Sequence, residues 1–179
     1  MSTFKALHAP ALACVAAIAL AACAPTAPKQ RLGLGETPSA QQIRAWDIDV
    51  RADGAGLPAG RGSVAQGEAI YRTRCLACHG ENGEKGPAPR LAGGQGTLAG
   101  KAPVLTVGSY WPYATTLYDY IQRAMPLDSP QSLTPDEVYA ETAYTLRLNG
   151  IVGADAVLDA TSLPRIAMPN RNGFRPVLK

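Results

Sequence analysis

Two cysteines and a histidine stand within five positions of this 179-residue chain, in the stretch RCLACHGENG at residues 74–83. Cys75, Cys78 and His79 carry side chains that hold metals and cofactors, so this stretch constrains the fold and the function more than any other. What the three residues bind depends on the compartment, because cysteine pairs have different uses in the cytosol and outside it. The start of the chain bears on that question.

The N-terminus has the parts of a secretory signal. A short lead with a positive charge at Lys5 precedes an apolar run over residues 9–23, and a polar segment rich in proline follows. Such a run is too short to span a bilayer, which favours a signal peptide at residues 1–23. LAAC at residues 20–23 resembles the lipobox of bacterial lipoproteins, with ordinary cleavage among the neighbouring alanines as the alternative. We therefore expect a periplasmic protein, tethered to a membrane through a lipid on Cys23.

The chain that remains after cleavage is long enough for one domain, at roughly 155 residues. The full sequence has 17 basic and 14 acidic residues and a formal net charge of +3, with no basic run, so we expect no nucleic-acid partner. Cys14 lies in the signal and Cys23 is at most a lipid anchor. Cys75 and Cys78 are thus left for chemistry, and one pair at this spacing is no disulfide framework.

Three kinds of site use a Cys-x-x-Cys-His motif or part of it. A structural zinc site needs four ligands, and the chain past the signal offers no second cluster to complete it. A thioredoxin-like redox pair follows a strand, whereas here a helical stretch precedes the motif, and His79 would have no role. A covalently bound haem c uses every residue: Cys75 and Cys78 form thioethers, and His79 is an axial ligand of the iron. The motif therefore predicts one haem c.

The sixth ligand of the iron is restricted by composition. His79 is the only histidine past the signal, and no cysteine is spare, so a methionine is expected. Met125 lies in RAMPLDSPQSLTPDE, where prolines stiffen the chain after a helix, and it is the favoured ligand. Met168 and an open iron site are the alternatives. Either methionine is otherwise explained as a side chain that fills a gap in the core.

Helix signals predict an all-α domain. SAQQIRAW has a helix start, Ser63 and Gln66 form a capping box for a helix over residues 64–76, and a helix is expected over residues 113–124. The clearest helix start is Thr134, with Pro135 next and Glu137 closing the box, and Asn149-Gly150 ends that helix. In residues 113–124 the expected buried stripe is Tyr113, Leu117, Tyr120 and Ile121. No stretch alternates in a way that predicts a sheet.

These elements divide the chain into four expected parts. Residues 24–62 form an extended arm, residues 63–150 a haem domain, and residues 151–179 a tail laid over it, after the signal at residues 1–23. The arm has too few apolar residues for a core of its own, although Ile43, Trp46, Ile48 and Val50 are large. Part of it either docks on a partner or folds back on the domain.

Four segments in order carry a family resemblance: GEAIYRTRCLACHG, APRLAGG, a methionine-proline loop and AYTLRLNG. They resemble a class I cytochrome c, in which a few helices wrap around one covalently bound haem. The resemblance implies that Gly67 lets the last helix cross closely, with Tyr71 and Tyr144 locking the crossing. It also implies that the Pro89 carbonyl accepts a hydrogen bond from His79, which fixes the imidazole and strengthens it as a ligand.

A closer resemblance extends from about residue 32 to residue 174. AWDIDVRADGAGLPAGRGSVAQGEAIY, TVGSYWPYATTLYDYIQRAMP and SLTPDEVYAETAYTLRLNGIV resemble the cytochrome subunits of periplasmic sulfite or sulfur dehydrogenases, including SoxD-type cytochromes of the Sox thiosulfate-oxidising system. Some of these cytochromes have a second haem domain, whereas this sequence has one Cys-x-x-Cys-His motif, so a monohaem form is expected. The resemblance implies a partner subunit with a molybdenum cofactor, which holds the catalytic site and donates electrons.

The expected function is therefore single-electron transfer, with no catalysis by this chain. Electrons would pass from the molybdenum subunit to the respiratory chain, through a downstream cytochrome c or a terminal oxidase. A general periplasmic shuttle with another donor is the alternative, and a haem enzyme or gas sensor would need an open iron site.

The haem propionates need donors or counter-charges. The candidates are Arg90, Tyr110, Trp111 and Arg123. For the arginines the alternative is a solvated surface charge, and for Trp111 it is packing in the core.

Overall fold

The computed structural model describes residues 32–175, which are mostly helical. The helices are α1 (Ala40–Trp46), α2 (Val64–Arg74), α3 (Leu76–His79), α4 (Ala114–Ala124) and α5 (Pro135–Leu148), with a 3-10 helix at Leu163–Arg165; the strands are β1 (Arg61–Ser63) and β2 (Val157–Asp159). The all-α fold class is confirmed. The predicted signal peptide and Cys23 lie outside the described residues, within which no helix has the length and apolar character to cross a membrane.

The two longest helices begin where the sequence predicts them. At α2, the Ser63 side chain accepts a hydrogen bond from the backbone N–H of Gln66, and the side-chain oxygen of Gln66 accepts one from the backbone N–H of Ser63. At α5, Thr134 and Glu137 form the same reciprocal pair, with Pro135 in the first turn. These bonds satisfy backbone donors that the first turn of a helix leaves free, and they fix the start of each helix.

Helices α2 and α5 pack closely at Gly67. A side chain at this position would collide with the carbonyl oxygen of Ala140 and lie 2.7 Å from Cβ of Tyr144. The rings of Tyr71 and Tyr144 then pack with centroids 5.2 Å apart. The crossing has the form implied by the class I cytochrome c resemblance, with a glycine at the contact and an aromatic pair beside it.

Helix α4 contributes a different tyrosine to the core than predicted. Tyr118 is fully buried and its ring packs 4.5 Å from the ring of Tyr139, whereas Tyr120 is 48 % exposed. Tyr118 shares a helix face with Ala114 and Ile121, which are three or four residues away, while Tyr120 is turned off that face and packs against Trp111. The prediction that Tyr120 belongs to the buried stripe is wrong.

The short antiparallel pair of β1 and β2 is an addition to the predicted elements. Gly62 stands opposite Leu158, and Gly62 lies against the backbone of Ala140, so the pair is fixed on α5. Beyond β2, the tail buries Leu163 and Met168 in the core around Tyr118 and Tyr139. The tail is thus part of the hydrophobic core over these residues.

The predicted arm consists of two stretches with different surroundings. Residues 32–47 are exposed throughout, including all of α1. From residue 48 the chain packs on the domain: Val50 and Leu57 lie against the core, the Val50 N–H donates to Asp119 (2.9 Å), and Tyr139 donates to the Pro58 carbonyl (2.9 Å). Residues 48–62 therefore fold back on the domain, which is one of the two alternatives given for the arm. The four part boundaries stay predictions.

Candidate haem site

The Cys-x-x-Cys-His motif lies at the join between α2 and α3. Cys75 caps the C-terminus of α2, and its N–H donates to the Tyr71 carbonyl. The N–H of His79 in turn donates to the Cys75 carbonyl at 2.9 Å. Residues three and four apart on a helical turn share one face, so this geometry directs Cys75, Cys78 and His79 to one side. Both cysteines are free thiols; Cys75 is half-buried and Cys78 is exposed.

The His79 ring is oriented by the loop that follows the motif. Its Nδ1 lies 3.0 Å from the Pro89 carbonyl oxygen. A carbonyl can only accept, so Nδ1 carries the proton and donates, which leaves the lone pair of Nε2 free for a metal. Backbone bonds hold the loop in place: Ala88 N–H to the Cys78 carbonyl at 2.9 Å and Leu91 N–H to the Gly83 carbonyl at 2.8 Å. The geometry is the one implied for Pro89.

The surroundings of Cys75 differ from those of a redox-active thiol. Burial raises the pKa of Cys75 to about 12, with the nearby Glu141 carboxyl adding to the effect. Catalytic cysteines of thioredoxin-like proteins have a lowered pKa, because the thiolate is the reactive form. Across residues 32–175, moreover, no three His, Cys, Asp or Glu side chains come together as a metal site would require. The pair therefore fits neither a redox dithiol nor a zinc site.

The two methionines have different surroundings. Met125 is the C-cap of α4, where its N–H donates to the Ile121 carbonyl at 3.0 Å, and its side chain is half-buried beside the core. Met168 is 3 % exposed and belongs to the core itself. Of the two, Met125 has a side chain at the edge of the packed interior, as a ligand at a cofactor site needs. Its role as the sixth ligand stays a prediction.

The structure gives both candidate arginines partners within the chain. Arg90 pairs with Glu84 at 2.8 Å, and Arg123 pairs with Asp49 and, at 3.1 Å, with Asp119. These contacts draw on the guanidinium donors that a haem propionate would need. A role for either arginine toward the propionates stays a prediction.

Both candidate aromatic residues contact residues that come later in the chain. The Tyr110 ring, 38 % exposed, meets the Phe174 ring edge-on at 5.1 Å, and its carbonyl accepts from Asn170 at 2.6 Å. Trp111 is half-buried against Tyr120, with ring centroids 5.6 Å apart. The tail thus covers Tyr110, and Trp111 has the packing role that was its alternative. Contacts of either side chain with the propionates stay predictions.

One buried residue beside the motif was not predicted from the sequence. Glu141, on α5, is 3 % exposed and lies next to Cys75, so that each group affects the pKa of the other. The stretch AETAY is typical of a solvent-facing turn of helix. Glu137, four residues earlier on the same helix, is only half-buried, so the sequence of α5 gave no signal that Glu141 is buried.

The residues at the motif fit a covalently attached haem. Two free thiols lie three residues apart on one helical turn, the lone pair of His79 Nε2 is free, and the proton on His79 Nδ1 is donated to the Pro89 carbonyl. A methionine as the second axial ligand, which stays a prediction, would give a donor set of nitrogen and sulfur that suits iron in a haem.

Comparisons with known proteins give the same assignment. The family model for cytochrome c matches residues 64–149. The crystal structure of the sulfane dehydrogenase SoxCD from Paracoccus pantotrophus contains a chain that is 45 % identical, with a TM-score of 0.77; the match covers 82 % of the present chain and 72 % of that one. A search of curated proteins gives no match.

Proposed function

Since the chain belongs to the cytochrome c family and is a class I cytochrome of the SoxD type, we propose that it relays single electrons for a sulfur dehydrogenase. The donor in this proposal is a molybdenum-cofactor subunit that oxidises sulfite or another reduced sulfur compound. The acceptor is a downstream cytochrome c or a terminal oxidase. The observation that carries the proposal is the 45 % identity, over 82 % of this chain, to a chain of SoxCD.

The cofactor is one haem c, which when bound supplies a one-electron couple at its iron. We propose that Cys75 and Cys78 hold it through thioethers and that His79 and Met125 are its axial ligands. Pro89 keeps the proton of His79 on Nδ1, through the 3.0 Å bond, and so leaves the lone pair of Nε2 available to the iron of a bound haem. A methionine thioether in the sixth position favours the reduced state relative to a second histidine.

The proposed ligand set accounts for the absence of catalysis by this chain. If His79 and Met125 both bind the iron, no position would be left for a substrate, and the haem would supply a one-electron couple only. Oxidation of sulfite to sulfate removes two electrons, so the bond-making step belongs to the partner. This cytochrome then accepts the electrons in two successive transfers.

The cytochrome is periplasmic, as SoxD-type cytochromes are. We propose in addition that the signal ends at Cys23 and that a lipid on this residue tethers the protein to a membrane, as LAAC at residues 20–23 indicates. A Cys23→Ser variant would then be released from washed membranes, and mass spectrometry of the parent protein would show an acylated N-terminus. A parent protein that is fully soluble would contradict the tether.

The relay is tested by mixing the oxidised cytochrome with sulfite, with and without the purified molybdenum subunit, and following the haem spectrum. A parallel series uses a persulfide as a sulfane-sulfur donor. Reduction that needs both subunit and substrate supports the relay and assigns the chemistry to the partner. No reduction with either substrate would favour the general shuttle, and fast reduction by substrate alone would contradict a closed iron site.

A further inference from the structure

Glu141 is a buried carboxyl in the middle of α5, on the side that faces α2. The two helices are in backbone contact at Gly67, so little space is left between them. Ala140, Thr142 and Ala143 around it are all buried as well, and Glu141 is 3 % exposed. Glutamate is almost never buried to this degree unless a partner offsets the lost hydration.

The protein provides few partners for this carboxyl. Oε1 accepts from the Thr145 hydroxyl at 3.4 Å, and Oε2 has no hydrogen-bond partner among the residues that the structure describes. None of the ion pairs within residues 32–175 includes Glu141. A buried carboxylate in such a place is costly, whereas the protonated acid is tolerated.

The titratable groups that face Glu141 are neutral at ordinary pH. They are Tyr71 and Cys75 on the α2 side and Tyr144 on α5. Burial is the largest influence and raises the pKa of Glu141 to about 8, while the hydrogen bond from Thr145 lowers it. The smaller lowering by the Cys75 thiol is lost once that sulfur is a thioether, which has no proton to donate. The carboxyl is therefore poised between its two protonation states near neutral pH.

Cys75 connects this carboxyl to the haem. Its sulfur is one of the two points at which the haem joins the chain, and the Glu141 carboxyl lies beside it. Oxidised iron carries one more positive charge than reduced iron, and in a poorly hydrated interior that charge acts on a neighbouring carboxyl. The oxidised state favours the carboxylate, and the reduced state favours the acid.

We propose that Glu141 is a redox-linked proton site, which takes up one proton when the haem is reduced and releases it when the haem is oxidised. The electron goes to the iron from the donor, the proton goes from water to a carboxylate oxygen of Glu141, and no other bond is made or broken. The inference rests on the haem in the proposed function and not on the identity of the donor.

The consequence is a reduction potential that depends on pH. Where the oxidised form has the carboxylate and the reduced form the acid, the potential falls as pH rises. The limiting slope is about 59 mV per pH unit, because a tenfold change in equilibrium constant is 59 mV for one electron. Below and above this window Glu141 has the same state in both forms, and the slope disappears.

The test is a spectroelectrochemical titration of the holoprotein between about pH 5 and pH 9, a range that brackets the expected proton equilibrium. The parent protein is expected to show the slope. Glu141→Gln retains the shape but cannot titrate, and its potential should stay near the acidic plateau of the parent. Glu68→Gln is the matched control, because Glu68 is on α2 but half-exposed and paired with Arg72.

A parent potential that does not vary with pH would overturn the proposal. So would a slope that survives in Glu141→Gln, since another group would then take up the proton. If the Gln variant fails to fold, infrared difference spectra of the parent decide instead: reduction should produce a protonated-carboxyl band, and its absence overturns the proposal. An electrode supplies the electrons, so a wrong choice of sulfur dehydrogenase as donor leaves these outcomes unaffected.

Discussion

Met125 and Met168 both precede a proline, yet their side chains have different surroundings. Met125 is half-buried at the end of α4, and Met168 is 3 % exposed within the core. The sequence favoured Met125 from its proline-stiffened loop but kept Met168 as an alternative. Burial separates the two, because a side chain enclosed on all sides by the core has no surface to offer a cofactor.

Met125→Ala is expected to remove the sixth ligand. The variant should bind carbon monoxide without denaturation, lose its low-spin spectrum and have a lower potential, since methionine ligation raises it. Optical titration with carbon monoxide and a redox titration measure both effects. Met168→Ala is the control: it should lower stability by about 2–5 kcal/mol through a cavity and leave the spectrum unchanged. The reverse pattern would identify Met168 as the ligand.

Glu141 is also expected to make folding stability depend on pH. Its ordinary pKa is 4.5 and burial raises it to about 8, so between these values the unfolded state has lost a proton that the folded state keeps. The contribution of Glu141 to stability is then full below about pH 4.5 and falls as pH rises toward 8, by ~1.4 kcal/mol per pKa unit and on the order of 5 kcal/mol altogether.

Urea unfolding of the reduced holoprotein across this pH window measures the effect. Glu141→Gln should flatten the profile, because an amide cannot ionise. Glu137 provides a contrast, since its hydrogen bonds with Thr134 lower its pKa. Its contribution to folding stability is therefore lost as pH falls below its ordinary pKa. If the stability of the parent protein rises between pH 5 and pH 8, the folded state does not keep a proton on a buried Glu141, which would contradict this prediction.

At the scale of residues, local motifs were predictable and tertiary partners were not. The shared face of Cys75, Cys78 and His79 follows from their spacing, and the bond between His79 and Pro89 was implied by the family resemblance. Arg123 pairs with Asp49, which lies far away in the sequence, so no local pattern indicated that contact. The burial of Glu141 likewise arises from the approach of α2, which its own helix does not encode.

At the scale of elements, the crossing of α2 and α5 fixes the site, because the motif begins where α2 ends. Gly67→Ala is expected to force the helices apart, since the added methyl would meet the Ala140 carbonyl and the Tyr144 side chain. Overpacking of this kind costs about 1–3 kcal/mol or more. Urea unfolding of the holoprotein measures the loss, and Ala69→Ser, on the exposed face of α2, should change stability little. Equal losses in both variants would contradict a special role for Gly67.

The helices were predictable because their ends carry local signals. Ser63 and Thr134 fix the starts of α2 and α5 by side-chain bonds within the first turn, and this chemistry is visible in four consecutive letters. The β1 and β2 pair was missed because each strand has three residues and its partner is distant in sequence, so no local pattern indicates the pairing. The choice of Tyr120 over Tyr118 failed for a related reason, since the burial of α4 depends on the position of Tyr139.

At the scale of the whole molecule, the arm divides into an exposed and a packed stretch. Residues 48–62 are held by several contacts, among them Val50 with Asp119 and Pro58 with Tyr139. Each of residues 32–47 is itself exposed, and Ile43 and Trp46 are 50 % and 86 % exposed. Low apolar content predicted an arm without its own core, but composition does not reveal where such an arm begins to pack on its neighbour.

Two truncations of the mature protein separate these stretches. Deleting residues 24–47 should leave the haem spectrum and Tm unchanged, because none of residues 32–47 is buried. Deleting residues 24–60 should lower Tm, since it removes Val50 and Leu57 from the edge of the core and leaves the Tyr139 hydroxyl without Pro58. Calorimetry of the two holoproteins makes the comparison, and equal Tm values would contradict the packed role of residues 48–60.

The shorter truncation also tests whether residues 24–47 dock on a partner. With an intact haem site and an unchanged Tm, any slower reduction by the molybdenum subunit comes from the loss of a contact between the proteins. Trp46→Ala narrows the effect to one large exposed side chain, of the type that most often dominates interfaces. Stopped-flow reduction at several subunit concentrations gives the result. A rate that is the same for all three proteins would mean that the exposed stretch has no part in docking and that the packed residues suffice.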